Sequence, residues 1–229
     1  MTDREQEILE LIKKNPMISQ NEIADILGIA RSSVAVHISN LIKKGYILGR
    51  GYIVRDNSYV AVIGGVNIDI QGFPYDGLVY RDSNPGKVKV SLGGVGRNIG
   101  ENLVKLGIPV KLISVIGNDI LGKKIIDESK LAGIDMKDCL ILEGEPTSTY
   151  LSILDENGDM ILSISHMDLF DRMKVDFIKD KSHIIENALA LVVDTNIPRD
   201  VIEYLVTTYR DKKFFLDTVS TTKAKKVKD

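Results

Sequence analysis

Apolar positions change their period once along the chain. Up to about residue 56 they recur at helical spacing; from Tyr59 onward, short apolar runs alternate with amphipathic stretches. In the first block, Ile8, Leu9, Leu11 and Ile12 form one stripe, and Asn15-Pro16 ends that helix. Ser19 with Glu22 reads as a capping box, and Ile23, Ile26 and Leu27 supply the inner face of a second helix. After Gly28, a third helix over about 31–44 is expected to bury Val34, Ile38, Leu41 and Ile42. Residues 45–54 read as two short strands around Gly49-Arg50-Gly51. Arg55-Asp56-Asn57-Ser58 is a polar break before the apolar run that opens at Tyr59, so the domains are set at 1–56 and 57–229.

The second block predicts strands at 59–64, 110–116, 139–143, 189–194 and 213–217. Helices are expected at 97–107, 120–132, 171–181, 198–210 and from 221 onward. Such alternation implies a largely parallel sheet covered by helices, an α/β class. Residues 148–154 and 159–164 flank Glu156-Asn157-Gly158-Asp159 and read as a hairpin outside that alternation.

Composition narrows the class without changing it. The chain has 229 residues, 44% hydrophobic and 27% charged, which fits a folded globular protein. The net charge of −2 gives no global case for nucleic acid, so any such case is local. One cysteine, Cys139, has no internal partner and suits a reducing compartment. No signal peptide and no apolar run near the ~18 residues of a membrane span is visible, so a cytoplasmic location and no membrane partner are expected.

Three small helices and a hairpin make the first block resemble the winged helix-turn-helix modules of bacterial transcriptional regulators. That resemblance implies DNA as a partner. The third helix would enter the major groove with Arg31, Ser32, Ser33 and His37 toward base edges, and Arg50 at the hairpin tip would reach a minor groove or a phosphate. Protein docking is the competing use of such a module. So few cations release few counterions, so a homodimer on paired half-sites is expected.

Three glycine clusters compete in the second block. Gly117-Asn118-Asp119-Ile120-Leu121-Gly122-Lys123 nearly matches a phosphate-binding P-loop, but Lys124 stands where Ser or Thr would hold Mg²⁺. Gly94, Gly96 and Gly100 approximate a dinucleotide fingerprint, but Ile99 stands at the third glycine's place, and no acid follows at the required distance. The third reading absorbs more residues. Gly64-Gly65-Val66-Asn67-Ile68-Asp69 is followed by Gly93-Gly94-Val95-Gly96-Arg97-Asn98, then by Gly117-Asn118-Asp119 with Gly122. Together these resemble the PfkB or ribokinase family of sugar and nucleoside kinases, over about 59–229. Ser83-Asn84-Pro85-Gly86, Asp194-Thr195-Asn196-Ile197-Pro198 and Asp217-Thr218-Val219-Ser220 with Lys223 are similar to pseudouridine kinases within it.

The resemblance implies a ribokinase-like three-layer αβα sandwich with a β lid, and ATP and Mg²⁺ in the intact parent. It implies that Asn67, Asp69, Gly94 and Asn98 hold the sugar, with Asp194, Asn196 and Thr149 (or Ser148) as further contacts. A carboxylate accepts from two vicinal hydroxyls, and an amide both accepts and donates, which is what a ribose presents. The residues also admit plainer roles. Asp69 would cap a turn, Asn98 would N-cap a helix, and Arg97 would lie on the surface. His166 and His183 have no acid–base partner, Asp155, Glu156 and Asp159 suit a solvated hairpin tip, and Cys139 suits a core. The family's late Gly-Ala-Gly-Asp run, which carries the anion hole and the catalytic base, does not occur in these residues, so no catalytic residue is assigned. Two functions follow: a nucleoside kinase represented by an incomplete chain, or a transcriptional regulator that senses a nucleoside or sugar. An NAD(P)-dependent enzyme is a third, weaker reading.

Overall fold

The computed structural model describes residues 1–48 and 58–228. It divides into two compact units, Met1–Ser58 and Tyr59–Asp229.

The first unit holds three helices, α1 (Asp3–Lys14), α2 (Gln20–Leu27) and α3 (Arg31–Lys43). Capping boxes start two of them: Thr2 with Glu5, and Ser19 with Glu22. Gly28, in the left-handed region, closes α2. Ile8, Leu9, Ile12, Ile23, Val34, Ile38, Leu41 and Ile47 make the core. Two residues expected inside are outside: Ile26 and Ile42 are exposed, because each lies one position off the buried stripe of its helix. Glu5 is buried, and both its oxygens accept from Lys44 Nζ, at 2.8 and 2.7 Å. That contact ties the start of α1 to the end of α3. The Lys44 ammonium holds the Glu5 carboxyl below its ordinary range. The expected hairpin tip, with Arg50, lies outside the described residues.

The second unit is built on a five-stranded parallel sheet. Its order is β11 (Lys213–Asp217), β10 (Ala190–Asp194), β1 (Val60–Ile63), β4 (Val110–Ile113) and β6 (Ile134–Asp135). All four residues of β1 are buried, the mark of a central parallel strand covered on both faces. A second sheet stands apart in the order β3 (Gly86–Gly93), β2 (Asn67–Pro74), β8 (Thr149–Leu154), β9 (Met160–His166). A small parallel pair joins β5 (Val115–Gly117) to β7 (Leu140–Leu142). The helices are α4 (Val95–Lys105), α5 (Ile120–Leu131), α6 (Val175–Asp180), α7 (Ser182–Asn187), α8 (Arg199–Thr208) and α9 (Thr221–Ala224), with 3₁₀ turns at Asp168–Arg172 and Lys225–Val227.

Three expectations are corrected. The strand at 110–116 is two strands, because Ser114 breaks the ladder and donates its hydroxyl to the Gly64 carbonyl at 2.6 Å. The helix at 171–181 is instead a 3₁₀ turn followed by α6 and α7. Met173 is fully buried in extended backbone, and Lys181 interrupts the next turn. The stretch after β1 contains two full strands, β2 and β3, that pair antiparallel over eight residues.

Beside the edge strand β11 lies an apolar groove of about 490 Å³, lined by Val60, Ile99, Leu103, Val192, Phe215 and Leu216 among others. Phe215 is 58% exposed there.

Candidate functional site

The second sheet has two chemically distinct faces, and its register says which residues share each. Side chains alternate along a strand, so paired residues point to the same side. Asp69 pairs with Ser91 on one side and Tyr150 on the other, and Tyr150 pairs with Ser165. Asn67, Asp69, Gln71, Ser91, Tyr150 and Ser165 therefore form a polar face. Ile68, Ile70, Val90, Leu151, Ile153 and Ile164 form the opposite, apolar one. Thr149 pairs with Ile68 and so belongs to the apolar face. It therefore points away from the side of Asp69. Its neighbour Ser148 falls on the side of Asn67, and its buried hydroxyl has no hydrogen-bond partner among the described residues. Ser91 and Tyr150 were missed from the sequence; only the pairing register identifies them.

Asn67 and Asp69 form the centre of the polar face. Asn67 Nδ2 donates to Asp69 Oδ1 at 2.6 Å. Oδ2 of Asp69 has no partner among the described residues, which leaves a carboxylate oxygen able to accept. Burial pushes the Asp69 carboxyl above its ordinary range, and the Asn67 amide works against that. A turn-capping role for Asp69 does not hold, since it lies within β2.

The glycines bring α4 up to this pair. A Cβ on Gly93 would lie 2.3 Å from Asp69 Oδ2. A Cβ on Gly94, whose φ is +97°, would lie 2.4 Å from both the Gly65 carbonyl oxygen and Val66 Cα. Only glycine permits that conformation and that approach. Gly94 is the N-cap of α4, so Asn98 lies one turn inside the helix and is not its cap. The side chain of Asn98 is exposed. Its Oδ1 accepts from Arg97 Nη1 at 3.1 Å, which directs Nδ2 outward as a donor.

Arg97 is not a surface residue. It is 6% exposed, with Nε donating to Ser129 Oγ at 3.2 Å and Nη2 paired with Glu101 at 2.6 Å. It pins α4 to α5 and orients Asn98. Asp119 has a comparable role at the other end of the site. Its Oδ1 N-caps α5 through the Gly122 amide, at 2.7 Å, and accepts the Thr147 hydroxyl at 2.6 Å; its Oδ2 accepts the Thr147 amide at 2.8 Å. Burial pushes this carboxyl up, but those hydrogen bonds outweigh it, and the group lies below its ordinary range. The near-P-loop is thus a strand–helix turn that fastens the start of β8.

Asp194 ends β10 and is 1% exposed. Its Oδ2 accepts the Gly65 amide at 2.7 Å and its Oδ1 accepts the Asn196 amide at 2.8 Å. Both oxygens are committed to backbone, so Asp194 shapes the Gly64-Gly65 loop and does not reach outward as a ligand contact. Burial pushes its carboxyl up; the amides of Gly65 and Asn196 oppose this. An asparagine there would set an N–H against one of those amides. Asp194→Asn is expected to lower stability by about 1–3 kcal/mol in chemical denaturation. Asn196 lies against Gly65, and its Oδ1 accepts from Lys223 Nζ.

The remaining candidates are accounted for locally. Asp155 Oδ1 accepts the amides of Asn157 and Asp159 at the hairpin turn. His166 and His183 are exposed, as expected of residues without a catalytic partner. Cys139 packs on the core, and burial pushes its thiol up to about 12, so it is inert at neutral pH. In the first unit, Arg31, Ser32 and Ser33 are exposed at the start of α3, where no side chain caps the helix. His37 is half-buried, with Nδ1 buried and without a hydrogen-bond partner. No helix among the described residues is long and apolar enough to cross a membrane.

Comparison with known proteins agrees with this layout. Residues 1–47 match the winged helix-turn-helix DNA-binding model, and residues 57–228 match that of the pfkB family carbohydrate kinases. The chain is 40% identical to the Escherichia coli sugar kinase YeiI over 228 residues, covering 100% of this chain and 63% of that protein. It is 37% identical to the Escherichia coli pseudouridine kinase over 176 residues, 77% of this chain and 56% of that one. A solved carbohydrate kinase from Agrobacterium tumefaciens superposes with a TM-score of 0.67 at 26% identity, over 75% of this chain and 57% of that one. The chain spans less than two thirds of the length of each of these proteins. A five-stranded parallel sheet with a polar-faced second sheet, glycine-gated at Asn67 and Asp69, thus coincides with the matched region, and the chain belongs to the pfkB family of carbohydrate kinases.

Proposed function

We propose that residues 57–229 belong to a kinase domain whose parent transfers the γ-phosphoryl group of ATP to the 5′-hydroxyl of pseudouridine, and that residues 1–56 bind DNA. The observation that carries the reading is the Asn67–Asp69 pair on the polar face of the second sheet, with one carboxylate oxygen unengaged among the described residues and the exposed Asn98 amide five residues after Gly93, which lies against Asp69. The 37% identity to a pseudouridine kinase supports the choice of nucleoside.

In this reading Asp69 accepts hydrogen bonds from two ribose hydroxyls, Asn67 holds that carboxylate in place, and Asn98 donates to a sugar oxygen. Ser91 and Tyr150 face the sugar from the sheet. The nucleoside's 5′-oxygen bonds to the γ-phosphorus, ADP leaves, and by family resemblance the hydroxyl proton passes to the aspartate of a Gly-Ala-Gly-Asp run. These residues bind and orient; they do not supply that base. No group of three or more His, Cys, Asp or Glu among the described residues is arranged to hold a metal ion, so Mg²⁺ is assigned to the whole protein together with ATP. Positioning and charge stabilisation dominate phosphoryl transfer, so a well-held acceptor is a large share of the chemistry.

A second reading rests on the exposed start of α3 and the winged-helix match: a regulator whose kinase-like unit senses a nucleoside. A homodimer belongs to that reading, because paired half-sites would supply the cations that one copy lacks. Calorimetric titration of the chain with pseudouridine, uridine and ribose tests the first part common to both. Saturable binding that favours pseudouridine is expected; a folded chain that binds none of the three contradicts it. A nucleoside-dependent change in DNA affinity would favour the regulator.

A further inference from the structure

The motif Asp217-Thr218-Val219-Ser220 with Lys223 takes no part in the sugar site described above. Its place in the fold is nonetheless at the carboxyl end of the parallel sheet, where open α/β sheets bind ligands. The ends of β1, β10 and β11 lie side by side there: Gly64-Gly65, then Asp194–Ile197, then Asp217–Ser220. The chain after β11 turns back over its neighbour. Asp217 Oδ1 accepts the Val219 amide at 2.7 Å, and Val219 takes the left-handed conformation, φ +59°, that a β-branched residue seldom adopts.

That turn delivers two lysines to three consecutive residues of the β10 end. Lys226 Nζ donates to the carbonyls of Thr195 and Ile197, at 3.0 and 2.9 Å. Lys223 Nζ donates to the side-chain oxygen of Asn196, between them. An ammonium has three N–H donors. One of Lys223's three and two of Lys226's three are used, so three N–H groups have no protein partner among the described residues. Among the described residues neither lysine has a carboxylate within ion-pair distance; Asp171 and Asp194 act on Lys226 only from further off. Both lysines are half-buried, and burial together with the charge of Lys223 lowers the pKa of Lys226. Two cations that feel each other's charge, partly withdrawn from water and without a paired carboxylate among the described residues, are stabilised by an anion beside them.

We propose that Lys223 and Lys226 form an anion corner that takes the phosphate monoester of the phosphorylated sugar or nucleoside. The proposal rests on the kinase reading for the identity of that monoester, and on the two lysines alone for its charge. The three spare donors match the three terminal oxygens of a phosphate. Asn196 links the corner to the sugar site, since its amide lies against Gly65 and is held by Lys223.

The test is calorimetric titration of the 229-residue chain with inorganic phosphate at low ionic strength, alongside pseudouridine in separate runs. Saturable phosphate binding is expected, weakened about tenfold or more in Lys223→Met, which removes one set of charge-assisted hydrogen bonds. Lys223→Arg, which keeps the charge, is expected to retain most of the affinity. Lys223→Met leaves both Lys226–carbonyl bonds intact, and a thermal melt matching the parent chain separates lost binding from lost folding. No saturable phosphate binding, or binding that Lys223→Met leaves unchanged, overturns the proposal. Phosphate binding without nucleoside binding would leave the corner standing and remove the nucleoside reading; nucleoside binding without phosphate binding would do the reverse.

Discussion

Asp69→Ala is expected to abolish measurable nucleoside binding while the protein stays folded. Asp69 supplies the acidic group of the Asn67–Asp69 pair, and its Oδ2 has no partner among the described residues. Two hydrogen bonds to a charged acceptor contribute roughly 1.5–3 kcal/mol each, so their loss weakens binding on the order of a hundredfold or more. Stability should fall only modestly: removing a buried carboxyl relieves its desolvation, while the buried Asn67 amide loses its acceptor, a cost of about 1–3 kcal/mol. The same residue sets a pH dependence. The carboxylate is the form that accepts from two hydroxyls, and burial raises its pKa above the ordinary value of 3.8. Affinity is therefore expected to fall as pH drops through that raised pKa, starting above the range of an ordinary aspartate. Stability moves the other way: a raised carboxyl pKa contributes stability fully present below the unfolded value, which is lost as pH rises through the folded one. Binding that is flat with pH down to an ordinary aspartate pKa would count against Asp69 as the acceptor. Calorimetry across pH, with Asp69→Asn as the uncharged control, separates the two effects.

The second large effect is expected at Gly94. Gly94→Ala places a methyl 2.4 Å from the Gly65 carbonyl oxygen and from Val66 Cα, both backbone atoms. No rotamer change relieves such a contact. Backbone strain at positive φ and the overpacking together cost roughly 3 kcal/mol or more. Gly107 gives the control, because its φ of +79° carries the strain but nothing lies within 4 Å of its Cβ position. Gly107→Ala is expected to cost only about 1–2 kcal/mol in the same denaturation experiment. Nucleoside binding should be lost in Gly94→Ala and kept in Gly107→Ala, since only the first forces the start of α4 away from Gly65 and Val66, which lead into Asn67. Equal losses in the two variants would mean that the close approach at Gly94 does not matter.

Much of the fold was legible because short apolar runs mark the parallel strands, most clearly β1 and β10, which are covered on both faces. The runs at 59–63, 189–194 and 213–217 are short, apolar and set between helical periods, and β1, β10 and β11 fall on them. β6 was not legible: two residues carry no period. β2 and β3 were not predicted as strands, because Asn67, Asp69 and Gln71 alternate with apolar residues next to Gly72 and Pro74, which read as turn formers. The helix expected at 171–181 failed for a tertiary reason, the insertion of Met173 into the core. In the first unit, the error at Ile26 and Ile42 came from treating every apolar residue near a stripe as part of it.

The site divides the same way. Asn67, Asp69 and Asn98 could be singled out because an amide and a carboxylate beside glycines carry a chemical meaning at the level of residue type. Sequence does not say which oxygens are already taken. Asp194 carries the same carboxylate as Asp69, but the backbone amides of Gly65 and Asn196 occupy it. Nor does it say which face a strand residue takes, and one step along β8 separates Thr149 from the side of Asp69. Arg97 was ambiguous because its three partners, Ser129, Asn98 and Glu101, come from two helices that only the folded chain brings together. The sequence motif around Lys223 was recognisable, but its contact with Asn196 spans 27 residues, with α8 and β11 between.

The central claim is that the polar face at Asn67 and Asp69 holds the sugar. A crystal structure of the chain with pseudouridine bound tests it most directly. Ribose hydroxyl oxygens are expected within hydrogen-bond distance of the Asp69 carboxylate, with Asn98 Nδ2 toward a sugar oxygen. A nucleoside ordered elsewhere, with Asp69 still bonded only to Asn67, would contradict it.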